Sequence, residues 1–229
     1  MLNDCAEWLN KKFSSFESPR KKVPLLRGRV YIFNLLVILY GYFKVYGKNT
    51  HTWFKLGMFI SLFSSLCNTL ITAFYHNRDL NLEQRSVFKR VDYAVIYLFI
   101  LTCYFPVYLH TIKNNFAVIY TLGIWGIGLC LVFQCLIYDF CGMPKWIRVI
   151  SFTTFGFANH YLTVALYKSR ELLILWDVLF SASLYLLGGI CYGSKFPNLI
   201  PKIFEHHEFM HLLMIIANYF SMRGNLRVM

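Results

Sequence analysis

The sequence predicts an all-α integral membrane protein: a bundle of seven transmembrane helices, with its N-terminus cytoplasmic and its C-terminus on the opposite side. Three observations predict it. The 229 residues are 57% hydrophobic and 15% charged, with a mean hydropathy of +0.48. A soluble domain carries about 45–50% apolar and about 25% charged residues, and one this apolar would expose large hydrophobic patches to water. Second, the apolar residues fall into seven runs joined by short polar segments. Third, the basic residues concentrate in alternate gaps between those runs.

The N-terminal tail, residues 1–29, holds seven Lys or Arg and no apolar stretch of signal-peptide length, so the first apolar run is expected to remain as a span. Within the tail, Leu9, Phe13 and Phe16 recur at helical spacing, with Lys11 and Lys12 on other faces and Trp8 beside them. That pattern predicts a short amphipathic helix lying on the membrane. Cys5 next to it is a candidate for palmitoylation.

A hydrocarbon core about 30 Å thick needs about 20 mostly apolar helical residues. Runs that approach this length cover 30–46, 53–75, 92–110, 116–138, 146–166, 171–192 and 203–221. Turn-forming segments separate them, including Gly47-Lys48-Asn49, Lys113-Asn114-Asn115 and Gly142-Met143-Pro144. The runs are long and lack alternating polarity, which favours helices over a barrel. Pro106 is expected to kink the third span without breaking the fold. The membrane domain is thus 30–221, followed by a short tail, 222–229.

Orientation follows from charge. The tail and the even-numbered gaps carry 15 Lys or Arg, and the other side carries eight. The positive-inside rule then puts the N-terminus in the cytoplasm, and an odd number of spans puts the C-terminus across the membrane. The same distribution explains the formal charge of +12 without a nucleic-acid partner. Basic residues sit between apolar runs, not along one soluble face. The seven cysteines form no CxxC pair and lie mostly inside apolar runs, as small packing residues do.

Ionisable residues within spans are costly and are functional candidates by default. His207-Glu208-Phe209-Met210-His211 puts two imidazoles at i and i+4, on one helix face and close enough to grip one metal ion. The predicted topology supplies a third. Span two runs inward and ends at Tyr75-His76, and span three begins on that side with Val91-Asp92-Tyr93. Span seven also begins there. Three His and one Asp therefore meet at one depth near the cytoplasmic leaflet. Three imidazoles with one open position are the arrangement of a catalytic zinc site, and Asp92 suits the role of a carboxylate that orients bound water. His ligation alone selects zinc only moderately over other divalent ions.

Several residues have plainer readings. His206 adjoins His207 but points about 100° away on a helix. His160 and Asp177 are expected in hydrogen-bonded packing, and His51 and His110 at the opposite interface. H-E-x-x-H spacing also matches the zinc-protease signature with Glu208 as general base. Otherwise Glu208 is a spare carboxylate near the metal or faces a neighbouring helix.

Thr72-Ala73-Phe74-Tyr75-His76, Val91-Asp92-Tyr93, the run Leu184 to Tyr192 with Lys195 and Pro197, and His207 to His211 resemble, in that order, the motifs of the progestin and adipoQ receptor family, which includes the hemolysin III proteins. The resemblance covers roughly 30–221. It implies seven helices, a cytoplasmic N-terminus and a zinc ion held by His76, His207 and His211 with Asp92 nearby. It also implies kinship with membrane hydrolases of ceramidase-like activity. Thr72 stands where the family motif has Ser, and the loop motifs of the hormone-receptor branch are only partly present, which favours the hemolysin III side.

The expected function is therefore zinc-dependent hydrolysis of a lipid amide or ester, with Asp92 as base or orienter, Thr72 as hydrogen-bond donor and a membrane lipid as substrate. The alternatives are a receptor or cytolysin-like protein with structural zinc, and an intramembrane protease of the H-E-x-x-H type. No nucleic-acid motif, Gly-rich phosphate loop or Ser–His–Asp set occurs in the sequence.

Overall fold

The computed structural model describes residues 24–138 and 143–229. The expected amphipathic helix at Leu9–Phe16, Cys5 and Cys141 lie outside the described residues. Every regular element among the described residues is helical. A 3-10 turn, Val30–Phe33, leads into α1 (Asn34–Tyr46). There follow α2 (Thr52–Asn77), α3 (Leu82–Thr102), α4 (Phe105–Thr111), α5 (Asn115–Ile137), α6 (Lys145–Phe157), α7 (His160–Lys168), α8 (Leu172–Ser194) and α9 (His206–Arg227).

Local chemistry fixes the helix starts. Asn81 accepts the backbone N–H of Gln84 (2.8 Å), and the Gln84 side chain accepts that of Asn81, so two orphan donors at the head of α3 are satisfied reciprocally. Asn114 caps α5 by accepting from the Ala117 N–H. Four helical stretches are long and apolar enough to cross a membrane: Thr52–Asn77, Leu82–Thr111, Asn115–Ile137 and Leu172–Ser194. Their outer faces carry Phe63, Ile119, Leu122, Phe133 and Trp176 largely uncovered. Water would make such a belt costly, whereas acyl chains match it.

The third apolar run is broken between α3 and α4, not merely bent. Pro106 has no N–H for the ladder, and its ring displaces the preceding carbonyl. The Cys103 carbonyl, left out of the helix, accepts from Ser61 Oγ (3.2 Å) and Asn225 Nδ2 (2.7 Å). Neighbouring helices thus satisfy a carbonyl left free at the break, as a membrane interior requires. A second break separates α6 from α7 at Ala158–Asn159. There the Tyr120 hydroxyl donates to the Ala158 carbonyl and the Tyr108 hydroxyl to Asn159 Oδ1.

Three apolar clusters hold the bundle. Ile38, Val45, Met58, Leu62, Met222 and Leu226 join α1, α2 and α9. Tyr97, Leu101, Ile124 and Phe155 join α3, α5 and α6, and Val107, Leu162, Leu166 and Val178 join α4, α7 and α8. Gly41 permits the first of these, because a Cβ there would sit 2.8 Å from Leu62 Cδ2. A buried amide–hydroxyl knot crosses the same three helices. Asn34 donates to Thr69 Oγ1 (2.8 Å) and Ser65 Oγ (3.2 Å), and Asn218 donates to Asn34 Oδ1 (2.8 Å) and Ser65 Oγ (2.9 Å). Interhelical bonds of this kind contribute about 0.6 kcal/mol each in a membrane, and up to about 1.7. Together they set the depth at which α2 and α9 meet.

Candidate metal centre

His76 is the penultimate residue of α2, while His207 and His211 occupy the first two turns of α9. The shared depth of the two helices brings the three rings together. Centroid separations are 4.7 Å for His76–His207, 4.6 Å for His207–His211 and 6.0 Å for His76–His211. One nitrogen from each ring lies within 4.8 Å of the other two. Nitrogens bound to one zinc ion at about 2.0–2.1 Å lie no more than about 4 Å apart, so modest ring rotation brings all three within bonding reach.

The hydrogen bonding fits a metal. His207 and His211 are buried, and His207 Nδ1 and both ring nitrogens of His211 have no hydrogen-bond partner. Buried polar atoms are almost always satisfied. Unpartnered nitrogens on two buried imidazoles beside a third suit a cation. This is the sole group of its kind among the described residues.

Asp92 and Thr72 face each other near this cluster. The Thr72 hydroxyl donates to Asp92 Oδ1 at 2.6 Å, both residues being buried. Among the described residues no second donor reaches the carboxylate, which leaves Oδ2 available. Asp92, Thr72 and all three His line one cavity of about 480 Å³.

A segment ahead of the first helix completes the surround. The N–H groups of Leu25 and Leu26 donate to the carbonyls of Lys202 and Ile203, the loop that leads into α9. Arg27 Nε then reaches Glu208 Oε1 at 3.0 Å. Gly28 follows with φ +73°, packed so closely on α2 that a Cβ would meet His76 Cβ at 2.6 Å. Only glycine adopts that conformation in that space without strain. Tyr31 lays its ring 4.7 Å from that of His211, and its hydroxyl accepts from Asn68 Nδ2 at 2.7 Å.

Glu208 is wholly buried, and its partners define its role. Oε2 accepts the backbone N–H of Glu205 (2.9 Å), capping α9, while Oε1 takes the Arg27 ion pair. His207 Nδ1 stands 3.6 Å from Oε1. Both oxygens are thus engaged, and Glu208 serves as a helix cap and a counter-ion to Arg27.

The other singled-out residues lie away from the cluster. His206 bonds Asn198 Oδ1 through Nδ1 (2.9 Å). His160 meets the Tyr120 hydroxyl (3.3 Å), and His110 lies 3.5 Å from Glu171. Asp177 is buried and holds Arg223 Nε (2.9 Å) and Arg227 Nε (2.7 Å). Cys67, Cys103, Cys130, Cys135 and Cys191 are free thiols.

A multi-pass helical membrane protein with a trihistidine cluster between two helix ends is the class that this fold and site define. Residues 26–222 match the family of haemolysin-III related proteins. The chain belongs to that family, which includes the progestin and adipoQ receptors.

Proposed function

We propose that this haemolysin III-family protein crosses the membrane seven times from a cytoplasmic N-terminus and hydrolyses an acyl lipid at a zinc ion held by His76, His207 and His211. The observation that carries the reading is the cluster of His76, His207 and His211, with unpartnered nitrogens on the last two, in the same cavity as a carboxylate with one unengaged oxygen. Zinc, when bound, supplies a Lewis acid and brings the pKa of water down to about 7.

The chain's own groups do the rest. The Thr72 hydroxyl fixes Asp92 through Oδ1, so that Oδ2 is presented to the cavity as proton acceptor. Hydrolysis joins the oxygen of water to the acyl carbon and breaks the C–N or C–O bond. A water proton passes to Asp92 Oδ2 and on to the departing amine or alcohol. The apolar lining, with Phe99, Ile100 and Phe152, takes the acyl chain and excludes bulk water. The bundle and its uncovered apolar belt support delivery of substrate from the bilayer.

A structural-metal reading, with a receptor or cytolysin role, draws on the close burial of His207 and His211. One comparison separates the two readings. The hydrolase reading expects Asp92→Asn to keep about one zinc per chain by elemental analysis yet lose acyl-lipid turnover by about 10²-fold or more, the scale of general-base loss. Unchanged turnover in that variant, beside metal-free His207→Ala and His211→Ala proteins of equal activity, would falsify the hydrolase.

A further inference from the structure

The charge lining the cavity exceeds what the histidine cluster calls for. Arg27, Arg85, Lys145 and Arg148 all line it, and Asp92 is the one carboxylate in the lining. Glu208 accounts for Arg27. Arg148 is the anomaly. It is 6% exposed, its guanidinium lies 5.0 Å from the Tyr93 ring centroid, and Nη1 donates to the Tyr93 hydroxyl. Nε has no partner, and among the described residues no carboxylate pairs with this side chain.

Topology alone would leave such a cation at the headgroup level in water. A guanidinium drawn inside a cavity without a counter-ion is costly unless an anion joins it. A second cation stands in the same wall. Lys145 Nζ lies 4.7 Å over the ring of Tyr192, whose centroid is 5.8 Å from that of His207. The basic end of the cavity therefore adjoins the histidines, and apolar side chains such as Ile96, Phe99 and Leu186 line it further on.

We propose that the cavity selects an acyl lipid whose head bears a phosphate, held by Arg148 and Lys145, with the acyl chain along the apolar wall. The proposal deepens the acyl-lipid reading above and rests on it for the fate of the acyl bond. Phosphate fits because its oxygens can meet the planar fork of Arg and the point charge of Lys together. A free phosphate ion shares that chemistry, so the test must tell head from ion.

Full-length protein in a maltoside detergent, which brings no phosphate, would be titrated with ceramide, with ceramide 1-phosphate and with inorganic phosphate. Each would compete against a fluorescent acyl lipid. Wild type is expected to bind the phosphorylated lipid at least about tenfold tighter than ceramide, with inorganic phosphate competing only far above that concentration. Arg148→Gln and Lys145→Gln should each bring the ratio of the two lipid affinities towards one.

Equal affinity for the two lipids in wild type, or an unchanged ratio in the folded variants, overturns the proposal. So does competition by inorganic phosphate at the concentration of the lipid. Should Arg148→Gln fail to fold, the more exposed Lys145→Gln carries the same test. Turnover of both lipids by the zinc-loaded protein separates the two readings. Head preference without turnover sinks the hydrolase alone, and turnover without preference sinks the phosphate head alone.

Discussion

Replacing Glu208 by Gln separates a structural carboxylate from a catalytic one. The side chain is 0% exposed and makes two bonds, to the Arg27 guanidinium at 3.0 Å and to the Glu205 N–H at 2.9 Å. Gln is nearly isosteric and its carbonyl can keep one of the two. The other partner then faces an amide NH₂ or a neutral oxygen. A hydrogen bond to a charged group contributes about 1.5–3 kcal/mol, so Glu208→Gln should cost about that much. Glu208→Ala, which strands a partly buried Arg27, should cost about 3–5 kcal/mol. At about 2–4 °C per kcal/mol for a chain of this size, the Gln variant should melt at least about 3 °C lower. The Ala variant should melt lower still. Thermal unfolding in detergent reads both. A Glu208→Gln protein that melts with wild type but has lost all turnover would refute the cap-and-counter-ion role and return Glu208 to the chemistry.

Two further perturbations probe opposite ends of the bundle. Gly28→Ala forces an L side chain into a left-handed conformation and onto His76. It should lower stability by about 1–2 kcal/mol and raise the zinc dissociation constant measured by chelator competition; an unchanged constant would mean that the segment does not set the position of His76. Asp177→Asn removes the shared partner of Arg223 and Arg227. Because both guanidinium groups are about a third exposed, solvent screening holds the expected loss to about 1–3 kcal/mol. Zinc content should stay at the wild-type value.

The histidine cluster was legible because each part leaves a local mark. The i, i+4 pair on α9 is visible as spacing, and counting apolar runs put His76 on the same side. Asp92 and Thr72 were legible as neighbours of those motifs, though not as a bonded pair. The segment from Leu25 to Tyr31 was not legible. It has no periodicity and reads as a basic tail, yet it supplies Arg27, Gly28 and Tyr31 to the surround of the histidines. Its bonds reach residues some 180 positions away (Arg27 to Glu208 spans 181), and such pairings leave no pattern in either strand of sequence. The same blindness hid the partners of Glu208, which the sequence left as a base, a spare carboxylate near the metal or a residue facing a neighbouring helix. Pro106 announced the break in the third run, but the break at Ala158–Asn159 depends on hydroxyls from Tyr108 and Tyr120 on other helices. The last helix runs on to Arg227 where a hydropathy count stops at 221, because Arg223 and Arg227 turn inward to Asp177.

The strap formed by Leu25 and Leu26 against Lys202 and Ile203 has a consequence for biogenesis. During synthesis the early segment waits for these partners until the chain has been made as far as Lys202 and Ile203. His207 and His211 follow in that same late stretch. A ribosome stalled before α9 would therefore hold a chain that has His76 but neither of the two imidazoles that His76 meets.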